Sequence, residues 1–327
     1  MANIPMKASF WTKKNDTYSI LCNLCPRQCL ISNGKRGFCK ARENRDGVLY
    51  SLVYGYPVAL QVDPIGKKPF AEFMSGTKTF SIGTYGCNLN CLFCQNYHLS
   101  RGIPFKNTGI LESIHFSKLD RKCEPQDEDY ASRSKDRHAH QQDRYFSPES
   151  IIKLSIKHNC RSVAFTYNEP TVWAEYAIDI AKLAKKNNLN VVLVSNGYIT
   201  KQAAEVFYPL IDAANIDRKG FSEHFYSEMT GARLQPVLDS IKYLYSLNKH
   251  VELTNLIIPD KNNDDKMIDS FLSWVVQNLD KNVPLHFSAY YPMYKYNESP
   301  RTSPEILYNI RDIAKKRGFN HVYLGNI

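Results

Sequence analysis

Three cysteines separated by three and then two residues, Cys87, Cys91 and Cys94, are the side chains of this 327-residue chain with the clearest chemical meaning. Three thiolates so close in sequence can bind one soft metal centre, and a three-ligand site leaves a coordination position open for a substrate or cofactor. A structural zinc site usually has a fourth ligand, for which His98 is the nearby candidate. The spacing therefore favours an open iron–sulfur cluster over zinc.

Four more cysteines lie within 18 residues near the N-terminus: Cys22, Cys25, Cys29 and Cys39. Four thiols form a closed site, which suits either an auxiliary [4Fe–4S] cluster or a structural zinc ion. The spacing does not distinguish these two metals. The surrounding residues, which are punctuated by Gly and Pro and show no helical period, predict a small loop-rich module that needs such a cross-link to fold.

Basic residues exceed acidic residues by ten, and residues 1–110 hold almost all of that excess, with 14 Lys and Arg against 5 Asp and Glu. A basic surface that binds nucleic acid would produce this imbalance. Metal-bound thiolates would also explain it, because seven of the nine cysteines lie in the same third of the chain and would be negative. The sequence contains no basic run interleaved with aromatic residues, which favours the second explanation.

No segment reaches the roughly 18 apolar residues of a membrane helix, and the N-terminus lacks the apolar region of a secretion signal. We therefore expect a cytoplasmic protein without a membrane partner, in which clustered thiols bind metals and do not form disulfides. A weak organellar alternative stays open, because Lys7, Lys13 and Lys14 precede the first acidic residue.

From residue 79 onward, short apolar runs typical of strands alternate with amphipathic stretches, and every gap except the last contains such a helical stretch. Strand–helix–strand order predicts a parallel sheet with right-handed crossovers. We predict an α/β protein with a partial (β/α)6 barrel of TIM type in residues 79–327 and a small Cys-rich metal-binding module in residues 1–78. The predicted strands are 79–86, 162–167, 191–195, 213–217, 251–258, 284–291 and 321–325.

One part of the barrel region has a different composition. Of the 25 residues from 120 to 144, 13 are charged and none is Ile, Leu, Val or Phe. Such a segment buries too little apolar surface to offset its ordering entropy, so residues 117–145 are predicted to be a disordered insertion.

Polar motifs follow the ends of the predicted strands. Cys87, Glu169, Asn196 and Asp217 each lie where an apolar strand gives way to the next helix. Each motif alone has an ordinary structural explanation, such as a turn or a helix start. In a parallel barrel, however, these strand ends converge on one rim, where active sites lie. Their common placement predicts an active site there.

The motifs also resemble those of a known family. The run GCNLNCLFCQN resembles the cluster-binding signature of the radical S-adenosylmethionine (SAM) superfamily, in the branch of pyruvate formate-lyase activating enzyme. The likeness to the AmmeMemoRadiSam-system radical SAM enzymes covers residues 21–116 and 146–326. It is carried, in order, by CNLCPRQC, GKRGFCKAR, DPIGKKPF, TYNEPTVWAEY, SNGYI, NIDRKGF, LQPVLDSIKYL, LIIPDKNND and HVYLGN.

The resemblance implies that Cys87, Cys91 and Cys94 bind a [4Fe–4S] cluster whose fourth iron takes the amino and carboxylate groups of SAM. One electron, from a flavodoxin- or ferredoxin-like donor, would cleave SAM to methionine and a 5′-deoxyadenosyl radical, which abstracts hydrogen from a substrate. The sequence does not say whether that substrate is a small molecule or a macromolecule.

The resemblance also implies the SAM-binding residues. Glu169, with Asn168 before it, would accept a hydrogen bond from the SAM amino group, and Phe93 would lie beside the adenine. The other residues expected to line the SAM pocket are Ser195, Asn196, Asp217 and Lys219.

Two departures from the family pattern accompany the likeness. Family members usually continue past the Tyr-x-Gly-Asn motif into a cysteine-rich tail, whereas this chain stops at Ile327, and they commonly have a basic residue near Ala289. Substrate-anion contacts near Ala289 are therefore in doubt. Two alternative functions remain: an activase for a glycyl-radical enzyme, and a non-catalytic zinc protein that binds nucleic acid through its basic N-terminal third.

Overall fold

The computed structural model of the chain describes residues 6–14, 18–102 and 145–327. The predicted insertion lies outside these ranges except for its last residue, Tyr145. None of the helices in the described ranges is long and apolar enough to cross a membrane.

Seven parallel strands form the centre of the protein, as the alternating pattern predicts. They pair in chain order from β8 to β14, and β7 adds to β8 in the antiparallel direction, so that β7 and β14 are the edges of an eight-stranded sheet. The fold is therefore α/β with a partial barrel, as predicted. The strands are β7 (Ala59–Pro64), β8 (Lys78–Gly83), β9 (Ser162–Phe165), β10 (Asn190–Ser195), β11 (Ala213–Asp217), β12 (His250–Ile257), β13 (Leu285–Ala289) and β14 (Val322–Gly325).

Helices connect the strands and cover the outside of the sheet. Helix α3 packs on β9 and β10, α6 packs on β12, and α8 packs on β13 and β14. A π-helical turn at Tyr226–Thr230 directly follows α5. The helices are α1 (Tyr97–Ser100), α2 (Pro148–Lys157), α3 (Ala174–Lys186), α4 (Lys201–Phe207), α5 (Glu223–Phe225), α6 (Gln235–Ser246), α7 (Asp265–Asn278) and α8 (Pro304–Lys316).

Helix α8 corrects one sequence prediction. The last gap between strands was expected to contain no amphipathic helix, but α8 fills it and buries Leu307, Ile310 and Ala314. These residues recur at intervals of three and four, which is a helical period. The Pro-, Ser- and Tyr-rich loop that precedes α8 has no helical period, so the amphipathic pattern begins only well after the end of β13.

The first strands form two small antiparallel sheets beside the barrel. One contains β1 (Met6–Lys7), β6 (Val48–Ser51) and β5 (Arg42–Arg45), and the other contains β2 (Trp11–Lys13), β3 (Ile20–Cys22) and β4 (Leu30–Ile31). Strand β7 lies on the N-terminal side of residue 78 and pairs with β8 of the barrel. The division of the chain at residue 78 stays a prediction.

The loop between β7 and β8 closes the N-terminal end of the barrel. The carbonyl of Pro69 accepts a hydrogen bond from Asn215 of β11, at 2.7 Å. The backbone amides of Ala71 and Glu72 donate to the carboxylate of Glu252 on β12, at 3.0 and 3.1 Å. Since this loop covers one end, the space inside the barrel is approached from the C-terminal ends of the strands.

Candidate active site

A cavity of about 830 Å³ occupies the inside of the barrel and reaches the C-terminal strand ends. The structure brings together around it all ten residues that the sequence places in the open cluster and SAM pocket. They are Cys87, Cys91, Phe93, Cys94, Asn168, Glu169, Ser195, Asn196, Asp217 and Lys219.

The three-cysteine loop follows β8 and is held by backbone hydrogen bonds. The amides of Asn90 and Leu92 donate to the carbonyls of Thr230 and Met229 in the π-helical turn, at 2.9 and 3.0 Å. The carbonyl of Cys87 accepts from the Arg101 guanidinium at 2.8 Å. The loop therefore has a defined course without being part of a helix or strand.

The three cysteines of this loop are partly buried at the wall of the cavity, which fits a metal centre better than exposed reactive cysteines. Burial, together with the nearby Glu169 carboxylate, raises the pKa of Cys87 well above its ordinary value. Burial also raises the pKa of Cys91 to about 12. Because metals bind thiolates, a metal centre here must supply the positive charge that displaces these protons.

Glu169 lies at the base of the rim and retains acceptor capacity. Its carboxylate accepts hydrogen bonds from the Thr171 amide at 2.9 Å, the Ser195 hydroxyl at 2.7 Å and the Asn196 amide at 2.8 Å. Burial raises the pKa of Glu169, although the Asn196 and Thr171 amides oppose this change. A carboxylate offers about four acceptor sites, so one site remains for a donor such as an ammonium group.

Asn168 holds the start of the cysteine loop. Its side-chain oxygen accepts from the Thr84 amide at 2.9 Å, and its side-chain nitrogen donates to the Gly86 carbonyl at 2.8 Å. Gly86 has φ of +95°, and a Cβ at this position would lie 2.4 Å from the carbonyl oxygen of Cys39. Glycine is therefore required at this turn, and the Asn168 amide is engaged by the protein itself.

Asp217 and Lys219 form an ion pair at the end of β11. Burial opposes the charge of Lys219, but Asp217 beside it holds the pKa of the ammonium above its ordinary value. Oδ1 of Asp217 is buried and accepts no hydrogen bond from the described residues. The pair thus presents a free acceptor, suited to a ligand hydroxyl, next to a cation.

Two further predicted residues complete the wall beside the cysteines. Phe93 is buried, with its ring centroid 6.2 Å from that of Phe225. The side-chain nitrogen of Asn196 lies 3.7 Å from Sγ of Cys87 and donates to Oδ1 of Asn88 at 2.9 Å. Asn196 therefore contacts the cysteine loop directly.

Sequence reasoning missed the deeper part of the cavity. Lys68 and His286 line this part of the cavity. Each pairs with a carboxylate that lies outside the cavity lining, Lys68 with Asp63 at 2.6 Å and His286 with Glu252 at 2.5 Å. Strand periodicity could have identified His286. It lies two residues from Ser288 on β13, so both side chains are on the same face of the strand and both line the cavity. The DPIGKKPF motif contains Asp63 and Lys68, but their pairing needs the fold.

The four N-terminal cysteines surround a second, smaller cavity of about 20 Å³. Burial raises the pKa of Cys25 to about 12 and that of Cys39 to about 11. Within the ranges that the structure describes, no three His, Cys, Asp or Glu side chains lie close enough together to bind one ion. In a cluster, each thiolate binds a different iron, so its ligands stand farther apart. Cys160, outside both groups, is buried in the core.

Comparison with known proteins identifies the family. The model of the radical SAM superfamily matches residues 81–274, more than half of the chain. The chain belongs to the radical SAM superfamily. Membership indicates an enzyme that binds a [4Fe–4S] cluster and SAM, and it argues against a non-catalytic zinc protein.

This radical SAM protein has relatives of several kinds. "Uncharacterized protein MJ0808" of Methanocaldococcus jannaschii is 35% identical over 98% of this chain and 86% of its own length. "Putative glycyl-radical enzyme activating enzyme MJ1632" of the same organism is 25% identical over 54% of this chain and 66% of its own length. Streptococcus suis SuiB bound to S-adenosylmethionine shares the fold, with a TM-score of 0.50 and 13% identity over 75% of this chain and 48% of that chain.

Proposed function

We propose that this radical SAM enzyme holds its [4Fe–4S] cluster through Cys87, Cys91 and Cys94 and cleaves SAM reductively there. Held there, the cluster would supply the electron for reductive cleavage of SAM to methionine and a 5′-deoxyadenosyl radical, and that radical would abstract hydrogen from the substrate. The electron comes from a flavodoxin- or ferredoxin-like donor.

The observation that carries the proposal is that three partly buried thiols share one cavity with an incompletely satisfied carboxylate. Glu169 has one acceptor site left for the SAM amino group, and its burial makes a cationic partner favourable. The free Oδ1 of Asp217 suits a ribose hydroxyl, and the Lys219 ammonium suits the SAM carboxylate or a hydroxyl.

The other residues orient these groups. Ser195 and Asn196 hold the Glu169 carboxylate, and Asn168 holds the turn that begins the cysteine loop. Phe93 supplies an apolar wall for the adenine. Buried and partly buried side chains line the cavity and limit the access of water to a reactive radical.

We also propose that Cys22, Cys25, Cys29 and Cys39 hold a second metal centre, either an iron–sulfur cluster or a zinc ion toward which the four thiols would have to move closer together. All four line one small cavity in the predicted module of residues 1–78, whose strands are only two to four residues long apart from β7. Strands this short bury little surface, so a metal cross-link would contribute directly to folding.

A second candidate function is activation of a glycyl-radical enzyme, in which the substrate is a glycine of a large protein. The partial likeness to MJ1632 supports it. The two candidates share the SAM chemistry and differ in the substrate.

The test is anaerobic incubation of the reduced, iron-loaded protein with SAM and chromatographic measurement of 5′-deoxyadenosine. The triple replacement of Cys87, Cys91 and Cys94 by Ala should abolish product while circular dichroism shows a folded barrel. Cys160→Ala is the matched control, because this buried cysteine lies outside both groups, and it should retain activity. Product from the triple variant would reject the proposed function.

A further inference from the structure

The four-cysteine segment is in direct contact with the three-cysteine loop through Arg27. Arg27 lies between Cys25 and Cys29, and its guanidinium donates to the carbonyl of Asn88 and, at 2.8 Å, to the carbonyl of Gly231. Asn88 follows Cys87 in the loop. Gly231 follows the π-helical turn whose carbonyls hold the loop amides. Arg27 therefore links the loop to the turn that supports it.

A second arginine, Arg101, holds the same loop. Arg101 donates to the carbonyls of Cys87 and Leu89. The ring of Phe38, next to Cys39, lies 3.5 Å from the Arg27 guanidinium carbon and 4.9 Å from that of Arg101. The Phe38 side chain thus contacts both guanidinium groups that bind the carbonyls of residues 87–89.

Asn88 connects the two groups of cysteines. It lines the small cavity around the four N-terminal cysteines. Its side chain donates to the Tyr198 carbonyl at 2.6 Å and accepts from Asn196, whose nitrogen is 3.7 Å from Sγ of Cys87. A change in the position of Asn88 would therefore reach a ligand of the open cluster through two direct contacts.

The charge of Arg27 explains how metal bound by the four N-terminal cysteines would act on the three-cysteine loop. Among the described residues, no carboxylate forms an ion pair with Arg27, whose hydrogen-bond partners are neutral carbonyls. Four thiolates outweigh the charge of a divalent centre, so a metal bound in the N-terminal pocket would form an anionic complex beside Arg27. That complex would hold the guanidinium in place against the Asn88 carbonyl.

We propose that Arg27 is a positioning residue through which metal bound by the four N-terminal cysteines fixes the three-cysteine loop and strengthens its hold on the cluster. This inference rests on the proposed function. The coupling is a free energy shared by two sites, so it acts in both directions. It predicts that the N-terminal module governs cluster retention at a site to which it contributes no ligand.

The experiment measures release of the open cluster to an iron chelator, followed by the loss of its visible absorbance under anaerobic conditions. Arg27→Gln should keep its N-terminal metal and its circular dichroism but release the open cluster on the order of tenfold faster. Arg27→Lys keeps the charge without the forked donors, so its release rate should lie between those of the wild type and Arg27→Gln. Arg36→Gln is the matched control, because Arg36 pairs with Glu43 inside the same module and should change nothing.

A second background separates coupling from simple loss of a contact. In a Cys25→Ser/Cys29→Ser protein, the open cluster should already be released faster, and adding Arg27→Gln should have little further effect, since both changes remove the same coupling. Equal release rates for wild type and Arg27→Gln, or fully additive effects, would overturn the inference. Wild-type protein that forms no open cluster would instead reject the proposed function.

Discussion

The guanidinium of Arg42 and the carboxylate of Glu175 form a two-armed ion pair, at 2.7 and 3.1 Å, that joins β5 to helix α3. The side chains are only 1% and 8% exposed. Ser9 adds two hydrogen bonds, because its amide donates to Glu175 at 2.7 Å and its carbonyl accepts from Arg42 at 2.6 Å. This pair attaches the N-terminal strands to the barrel on the side of the four-cysteine cavity, which Arg42 also lines.

Glu175→Gln should lower the free energy of unfolding by about 3–5 kcal/mol, because it leaves the Arg42 charge buried without a partner. Urea unfolding followed by circular dichroism measures this change. Glu205→Gln is the control, since its pair with Lys201 is exposed and should contribute less than about 1 kcal/mol. Equal losses from the two variants would contradict the assignment.

Removal of the Glu169 carboxylate should weaken SAM binding by about 1.5–3 kcal/mol, the scale of one hydrogen bond to a charged group. Anaerobic calorimetric titration of the iron-loaded Glu169→Gln protein tests this, because glutamine keeps the shape but loses the charge. Burial raises the pKa of Glu169, so this carboxylate becomes protonated at a higher pH than an exposed one. As the pH is lowered, SAM affinity should therefore begin to fall earlier than it would with an exposed carboxylate. Unchanged affinity in the variant would reject this role.

The triple variant of Cys87, Cys91 and Cys94 should retain metal, because the N-terminal pocket binds its own. Elemental analysis for iron and zinc measures the remainder. Further replacement of Cys25 and Cys29 should remove it and make the first 78 residues sensitive to protease, since metal binding in small modules is coupled to folding. A metal-free triple variant would exclude the second site.

Glu252 should stabilise the barrel in a pH-dependent way. Burial opposes its ionisation, but hydrogen bonds from His250, His286 and two backbone amides lower its pKa to about 2. Its contribution is therefore complete above about pH 4.5 and is lost as the pH falls toward 2. Glu252→Gln should reduce stability at pH 7 by about 3 kcal/mol and flatten the pH dependence in that interval. Urea unfolding at several pH values between 3 and 7 measures this difference. If the assignment were wrong, the unfolding free energies of the wild type and of Glu252→Gln would differ by the same amount at every pH.

Local sequence patterns determined the architecture and the identity of the rim residues. Apolar runs of strand length predicted all seven parallel strands, because burial on both faces of a parallel sheet imposes a continuous apolar pattern. Polar residues directly after those runs had to meet at one rim, since all parallel strands end on the same side. The cysteine spacing indicated metal binding because the cysteines of each group are close in sequence.

Only the tertiary structure decided which groups act on one another. The pairs Arg42–Glu175 and Arg27–Gly231 join residues 133 and 204 positions apart, and no local pattern relates their partners. Lys68 and His286 in the deep cavity wall likewise pair with carboxylates on other elements, Asp63 on β7 and Glu252 on β12. Sequence periodicity specifies which face of an element is buried, whereas the partner of a buried charge depends on how the elements pack. For that reason, only the tertiary structure determines the contact of Arg27, in the segment of the four N-terminal cysteines, with the three-cysteine loop.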